Sequence, residues 1–184
     1  IMDNLDKTRN RFIDSLKQLM EKKQLDKITV KEIVETSGMT RQTFYRNFKD
    51  KYDLVNWHFS QLADRSFRQM GSGCTLKEGL IKKFQFIQNE KRFFTSAFQS
   101  RDYNSLMQYD YECILEFYTN IIKEKTGKSP NRDIVFLLEM YCRGSIDMTV
   151  EWVRKNMNME PEEIANLLIL ALPRPLEELF SDIC

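Results

Sequence analysis

The sequence has little of what an enzyme active site usually needs. Its 184 residues include one histidine, His58, which argues against a histidine-rich metal site and against a serine–histidine triad. Catalytic carboxylates at a recognisable spacing are also lacking. The run Gly127-Lys128-Ser129 has no preceding glycine-rich turn and strand, so it is interpreted as a loop that ends a helix rather than a phosphate-binding loop. We therefore predict a protein that is not an enzyme and needs no metal or organic cofactor.

Cysteine is scarce and has no metal-binding pattern. The four cysteines are Cys74, Cys113, Cys142 and Cys184. No CxxC pair is present, so the sequence predicts neither a zinc site nor a disulfide framework. Cys113 and Cys142 lie in apolar helical patterns and are interpreted as small hydrophobic residues. A redox-sensing role for Cys74, which follows a Ser-Gly pair, is the alternative.

Chain-breaking residues and long apolar runs are few. Six glycines and four prolines, with 42% hydrophobic and 30% charged residues, favour a globular protein made mostly of helices. The longest apolar run, residues 164–172, is too short to cross a bilayer. The first thirty residues are charged throughout and do not resemble a secretory signal. We expect an all-α protein in the cytoplasm.

The most informative stretch, residues 29–51, predicts two short helices joined by a tight turn. Thr29 is a good N-cap, and Glu32 follows at the spacing of a capping box, so the first helix should begin at residue 30. Gly38 can adopt the left-handed conformation that ends a helix. Thr40 then offers a second N-cap. Two helices around such a turn are typical of a helix-turn-helix, which places its second helix in the major groove of DNA.

The second helix, predicted over Arg41–Phe48, has one apolar and one polar face. Phe44 and Phe48 lie four residues apart and should pack inward. The polar face consists of Arg41, Gln42, Thr43, Tyr45, Arg46 and Asn47. These side chains suit base edges and phosphates. A helical hairpin with a solvated face is the alternative that the pattern alone leaves open.

The run from Gly38 to Leu54 resembles the helix-turn-helix signature of the TetR family of bacterial transcriptional regulators. The matching residues are Gly38, Met39, Thr40, Thr43, Phe44, Tyr45, Phe48, Lys51 and Leu54. The run departs at Asn47, where the family usually has histidine, and at Tyr52, where an acidic residue is common. The motif match is confined to about residues 8–54, and beyond that the chain is similar to the family in helix pattern and length.

Nine residues are the candidates for DNA contact. For base contact we select Arg41, Gln42 and Thr43. The resemblance implies phosphate contacts for Thr29, Thr40, Tyr45, Asn47 and Lys51, and Arg46 suits either role. Charge is consistent with this assignment, because residues 1–58 hold 12 Lys and Arg against 9 Asp and Glu, whereas the remainder is slightly acidic.

The helix pattern predicts about nine helices in two domains. The expected limits are a helix-turn-helix DNA-binding domain over residues 1–50, a connecting helix over residues 51–70, and a regulatory and dimerisation domain over residues 71–184. Further helices are predicted over Leu5–Lys23, Lys51–Met70, Leu76–Asn89, Tyr103–Glu124 and Arg132–Lys155, with a short aromatic helix near residue 94, a helix that begins near Pro161 and one more turn over Leu176–Phe180.

The last two main helices carry long apolar stripes, which a symmetric dimer can bury in a four-helix bundle. The resemblance implies the same arrangement. We therefore expect a homodimer that binds double-stranded DNA at a pseudo-palindromic operator, with no membrane association. The alternative is that both stripes face only the core of the monomer.

Regulation is expected from the second domain, as a repressor that a small-molecule effector releases from its operator. Candidate ligand-binding residues are Phe94, Phe98, Tyr111, Leu115, Tyr118, Tyr141, Arg143, Asp147 and Trp152. For each residue, the alternative that the pattern favours is a role in the core or in a surface ion pair. The residues 41–45 and 49–54 also resemble regulators of dihydroxyacetone kinase operons, which implies the alternative of an activator controlled by a protein partner. A poorly formed pocket would favour that alternative.

Overall fold

A computed structural model describes residues 4–181, and in this part the chain forms ten α-helices and no named strand. The helices are α1 (Asn4–Met20), α2 (Val30–Ser37), α3 (Arg41–Asn47), α4 (Lys51–Asp64), α5 (Leu76–Asn89), α6 (Lys91–Gln99), α7 (Leu106–Thr126), α8 (Arg132–Arg154), α9 (Pro161–Leu170) and α10 (Arg174–Leu179). The all-α prediction is confirmed. None of these helices is long and apolar enough to cross a bilayer. Cys184 lies outside the described residues.

Local capping chemistry defines the predicted helix-turn-helix. The Thr29 hydroxyl accepts a bond from the Glu32 amide at 3.2 Å, and the Glu32 carboxylate accepts one from the Thr29 amide at 2.9 Å. Gly38 ends α2 at φ 65°, a left-handed conformation that a side chain would strain. The Thr40 hydroxyl accepts a bond from the Thr43 amide at 3.1 Å and begins α3. The predicted limits of α2 and α3 are therefore correct to within one residue.

Three predicted helices have limits that differ by at least three residues in the structure. Helix α1 ends at Met20 instead of residue 23. The connecting helix α4 ends at Asp64 instead of residue 70, and a 3-10 turn over Phe67–Gln69 follows. The Ser66 hydroxyl donates to the Leu62 carbonyl at 2.8 Å and so occupies an acceptor that a continuing helix would use. The helix predicted from Tyr103 begins at residue 106, because residues 102–105 form a turn in which the Asn104 amide donates to the Asp102 carboxylate.

The first compact unit comprises residues 1–61 and 91–106. Its core is aromatic. The ring centroids of Phe12 in α1 and Phe44 in α3 lie 5.2 Å apart, and the two rings meet edge to face. Helix α6 belongs to this unit, since Phe94 packs 6.4 Å from Phe59 of α4.

The second compact unit comprises residues 62–90 and 107–184. Phe84 of α5 lies 5.2 Å from Trp152 of α8. Lys83, which precedes Phe84 in α5, forms an ion pair with Asp110 of α7, and the side-chain exposures of the two residues are 4% and 0%. The two compact units are defined by which residues pack together. The limits predicted from the sequence instead divide the chain by function, into DNA-binding, connecting and regulatory parts, and that division stays a prediction.

Candidate nucleic-acid interface

Helix α3 presents a polar face to solvent because its apolar face is anchored in the first unit. Phe44 is 0% exposed and Phe48 is 3% exposed. Phe48 also contacts Trp57 of α4, with ring centroids 5.8 Å apart. The aromatic anchor therefore fixes the rotation of α3 about its axis, and the residues between and beside the two phenylalanines point outward.

The nine candidate residues fall into two groups by exposure. Thr29, Thr40, Arg41, Gln42, Tyr45 and Arg46 are exposed, and Thr43, Asn47 and Lys51 are half-buried. Tyr45 is 57% exposed although its ring meets the Phe44 ring edge to face. All but Thr29 and Lys51 lie on α3 or at its N-cap. The structure thus brings seven candidates together on one short helix.

Several of these side chains already bond within the chain. The Thr40 and Thr43 hydroxyls lie 2.9 Å apart, and the Asn47 amide group donates to the Thr43 carbonyl at 2.9 Å. The hydroxyl of Thr29 belongs to the capping box of α2. These bonds fix the start and end of α3 and leave each hydroxyl with further bonding capacity.

Three exposed side chains of α3 have no such bonds. Within the described residues, the side chains of Arg41, Gln42 and Arg46 make no hydrogen bond to the rest of the chain. Guanidinium and carboxamide groups presented in this way can form paired hydrogen bonds with guanine and adenine edges in the major groove. The outer face of α3 therefore combines fixed backbone geometry with unengaged forked donors.

Lys51 is bonded in a way that the sequence did not indicate. Its ammonium nitrogen donates to the carbonyl oxygens of Leu25, Asp26 and Ile28 at 2.8, 2.9 and 2.7 Å. Burial lowers the pKa of Lys51 from its ordinary value, and the nearby Asp26 carboxylate opposes this shift. An ammonium has three donors, so all of them are engaged.

The predicted ligand-binding residues do not line one cavity. Phe94 and Phe98 are buried in the first unit. In the second unit, the Tyr141 hydroxyl donates to the Leu168 carbonyl at 2.8 Å, and the Trp152 ring nitrogen donates to the Met159 carbonyl at 3.0 Å.

The other predicted ligand-binding residues are equally dispersed in the second unit. Tyr118 is buried and Leu115 is half-buried, while Asp147 is exposed on α8. The guanidinium of the exposed Arg143 lies 4.3 Å from the ring centre of Tyr111, which is buried. Packing and hydrogen bonding inside the unit account for most of these side chains, and a ligand-binding role for them stays a prediction.

A groove in the second unit was missed by sequence reasoning. Its volume is about 690 Å³, and it is lined by Arg68, Met70, Gly71, Ser72, Cys113, Glu116, Phe117, Asn120, Ile121, Glu124, Lys125 and Leu179. The α7 residues in this set recur every three or four positions, which is the signal that marks one face of a helix. The Arg68 guanidinium donates to Asp64 at 2.7 Å and points its other end toward the Cys113 sulfur at 3.5 Å.

A smaller cavity of about 230 Å³ lies between α8 and α9. It is lined by Met140, Tyr141, Gly144, Ser145, Met148, Leu168, Ala171 and Pro173. Tyr141 is the one predicted ligand-binding residue that lines either of these two cavities. The lining is almost wholly apolar, and it continues an exposed apolar surface on the same two helices.

Comparison with solved structures supports the fold assignment. The chain is similar to the dihydroxyacetone kinase operon activator DhaS, with 16% identity over 96% of this chain and 97% of that chain and a TM-score of 0.62. It is also similar to the transcriptional regulator FadR from Bacillus subtilis in complex with stearoyl-CoA, with 19% identity over 95% and 99% of the two chains and a TM-score of 0.57. No curated protein sequence matches the chain significantly.

Two family models match the sequence. Residues 12–56 match the model of bacterial regulatory proteins of the tetR family. Residues 75–173, more than half of the chain, match the model of a transcriptional regulator C-terminal region. The first match contains α2 and α3 entire, and the second begins at the N-cap of α5 and extends beyond α9. The chain therefore belongs to the TetR family of bacterial transcriptional regulators, as these two matches establish together with the helix-turn-helix and the all-helical architecture.

Proposed function

We propose that the protein is a homodimeric regulator that binds a pseudo-palindromic operator in the cytoplasm with the α3 helix of each protomer in the major groove. The observation that carries this proposal is the exposed row Arg41, Gln42 and Arg46, held outward by the buried Phe44 and Phe48. Thr43 completes the base-reading set. Thr29, Thr40, Tyr45 and Asn47 border the row and are the candidates for phosphate contact.

The dimer is proposed to form through α8 and α9. Both helices expose large apolar side chains, namely Val135, Phe136, Met140, Met148, Leu167 and Leu170. Leu170 is 82% exposed, and a Cβ added at Gly144 would meet no atom within 4 Å. A second copy would bury these side chains and could approach α8 closely at Gly144. Half-sites in the operator would then lie about one helical turn, roughly 34–36 Å, apart or somewhat further.

For regulation, we propose a repressor released by a small molecule in the α7 groove. About 690 Å³ is within the range of ligand sites, and the lining combines apolar side chains with two cations, Arg68 and Lys125, and two carboxylates, Glu116 and Glu124. An amphipathic ligand suits such a lining if its anionic group binds at Arg68 or Lys125 and stays away from the two carboxylates. The similar regulator FadR was solved in complex with stearoyl-CoA, a ligand of this class.

The second candidate is an activator or co-regulator controlled by a protein partner. Two observations favour it. The groove along α7 is open to solvent, and the predicted aromatic ligand residues are packed into the cores of the two units instead of surrounding a closed cavity. The likeness to DhaS, an operon activator, points the same way. Adding stearoyl-CoA to the protein–operator complex separates the candidates, because only the first predicts release of DNA.

The test of DNA recognition is a binding experiment with operator DNA selected from the region upstream of the gene. Gln42→Ala should lose about 1–3 kcal/mol at particular base pairs and bind random DNA as the parent does. Gln85→Ala, an exposed glutamine in the second unit, is the matched control and should change neither affinity. Equal losses on operator and random DNA for Gln42→Ala would contradict a base-reading role.

A further inference from the structure

The segment that precedes the helix-turn-helix forms a cation site, which is the set of three carbonyl oxygens that bind the Lys51 ammonium group. Lys51 is the first residue of α4, and its three carbonyl partners belong to Leu25, Asp26 and Ile28, which connect α1 to α2. Three carbonyl oxygens that converge on one point repel one another unless a positive charge lies between them. The ammonium group therefore fixes the shape of this connection.

The same connection is also held by α6 and the residue after it. The Leu25 amide donates to the Ser96 hydroxyl at 3.0 Å, and the Ser100 hydroxyl donates to the Asp26 carboxylate at 2.6 Å. The Tyr52 hydroxyl reaches the same carboxylate oxygen at 3.0 Å. Leu25 itself is buried. The connection is thus pinned by α4 and α6 together, all within the first unit.

The pinned connection leads directly into the recognition element. Ile28 precedes Thr29, the N-cap of α2, and α2 is followed by the Gly38 turn and α3. A displacement of the connection would therefore move the start of α2 and, through the tight turn, the helix that reads DNA. A side chain held by three short bonds at this position is well suited to set that geometry.

We infer that Lys51 is a positioning residue that seats the helix-turn-helix, and not a phosphate contact as the family resemblance implies. The inference rests on the proposed DNA-binding function. An ammonium with three engaged donors would have to abandon at least one carbonyl to reach a phosphate, and each abandoned carbonyl loosens the connection that aims α3. Arg46, which suits either a base or a phosphate contact, is already exposed on α3.

Charge-conserving and charge-removing substitutions distinguish the two roles. A phosphate contact tolerates Lys51→Arg, because a guanidinium binds phosphate at least as well as an ammonium does. A site of three converging carbonyls does not, because the planar guanidinium cannot replace a compact ammonium. We expect Lys51→Arg to lower operator affinity at least tenfold and to lower the melting temperature, with the salt dependence of binding unchanged.

Lys51→Met adds an independent readout. Each phosphate contact contributes a slope of about 0.9 to the dependence of log affinity on log salt concentration, so two protomers would lose about 1.8. If Lys51 is a positioning residue, we expect Lys51→Met to reduce this slope by well below 1. Lys27→Met, an exposed lysine of the same connection, is the matched control for charge removal and should leave the melting temperature unchanged.

Ser100→Ala tests the positioning role without any change of charge or of Lys51. It removes the bond to Asp26 and the one that the Ser100 hydroxyl accepts from the Asp102 amide, and it should weaken operator binding several-fold with an unchanged salt slope. Lys51→Arg at parental affinity, a slope loss of one or more for Lys51→Met, or parental binding by Ser100→Ala would each overturn the inference. Failure of the parent protein to prefer operator over random DNA would instead refute the proposed function.

Discussion

Replacing Asp110 with asparagine should destabilise the second unit strongly. The Asp110 carboxylate is fully buried, and both of its oxygens accept bonds from the Lys83 ammonium, at 2.7 and 2.8 Å. Burial raises the pKa of the Asp110 carboxyl, and the charge of Lys83 opposes that rise. Asparagine keeps the shape of the side chain but leaves a buried ammonium without its counter-charge.

The magnitude follows from the burial of both partners. Removing one member of a buried ion pair costs about 3–5 kcal/mol, whereas replacing both members with apolar residues is often neutral or stabilising. Lys83 also lies 5.3 Å from the centre of the Phe67 ring, a contact that the asparagine variant retains. We therefore expect Asp110→Asn to lose about 3–5 kcal/mol and the double variant Lys83→Met/Asp110→Leu to recover most of that loss.

Tryptophan fluorescence can follow the second unit alone. The chain has two tryptophans, Trp57 in the first unit and Trp152 in the second. In a Trp57→Phe background, urea unfolding monitored at Trp152 reports the core beside the ion pair, since Trp152 packs on Phe84. With a slope of about 2 kcal/mol per molar urea, the expected midpoint shift for Asp110→Asn is about 2 M.

The control is Glu112→Gln on the exposed side of the same helix, which should change the free energy of unfolding by less than about 0.5 kcal/mol. The reasoning would be refuted by a loss below about 1 kcal/mol for Asp110→Asn. It would also be refuted if the double variant lost the sum of the two single losses, because the partners would then be energetically independent.

Two further predictions concern the helix ends. The Glu32 carboxylate bonds to Lys23 and to the α2 N-cap, which lowers its pKa from 4.5 to about 2. The stability that it contributes is present above pH 4.5 and is lost as pH falls toward 2, so Glu32→Gln should flatten acid unfolding of the first unit over this range while Glu35→Gln should not. After α8, Asn156 has φ 63°, so Asn156→Gly should be more stable than Asn156→Ala by about 1 kcal/mol in thermal unfolding. The reverse order, which helix propensity alone would give, would contradict a strained left-handed position.

The sequence alone determined the helix-turn-helix. Its helix ends are set by Thr29, Glu32, Gly38 and Thr40, which act on backbone groups no more than five residues away. Their effect depends only on neighbouring residues in the sequence, so it could be inferred without the fold. The inward phenylalanines of α3 follow from helical periodicity in the same way. The TetR resemblance depends on this same stretch, which is why the family could be recognised from it.

Only the tertiary structure decided which elements share a core. The aromatic side chain of Phe94 suggested a ligand pocket in the second domain. In the structure, Phe94 instead packs against Phe59 of α4 in the first unit. The carbonyl partners of Lys51 lie 23–26 residues away, and Asp110, the ion-pair partner of Lys83, lies 27 residues away. Periodicity tells which face of a helix is buried but not which helix covers it, so the cation site, the buried ion pair and the α7 groove all depend on packing between segments distant in the chain.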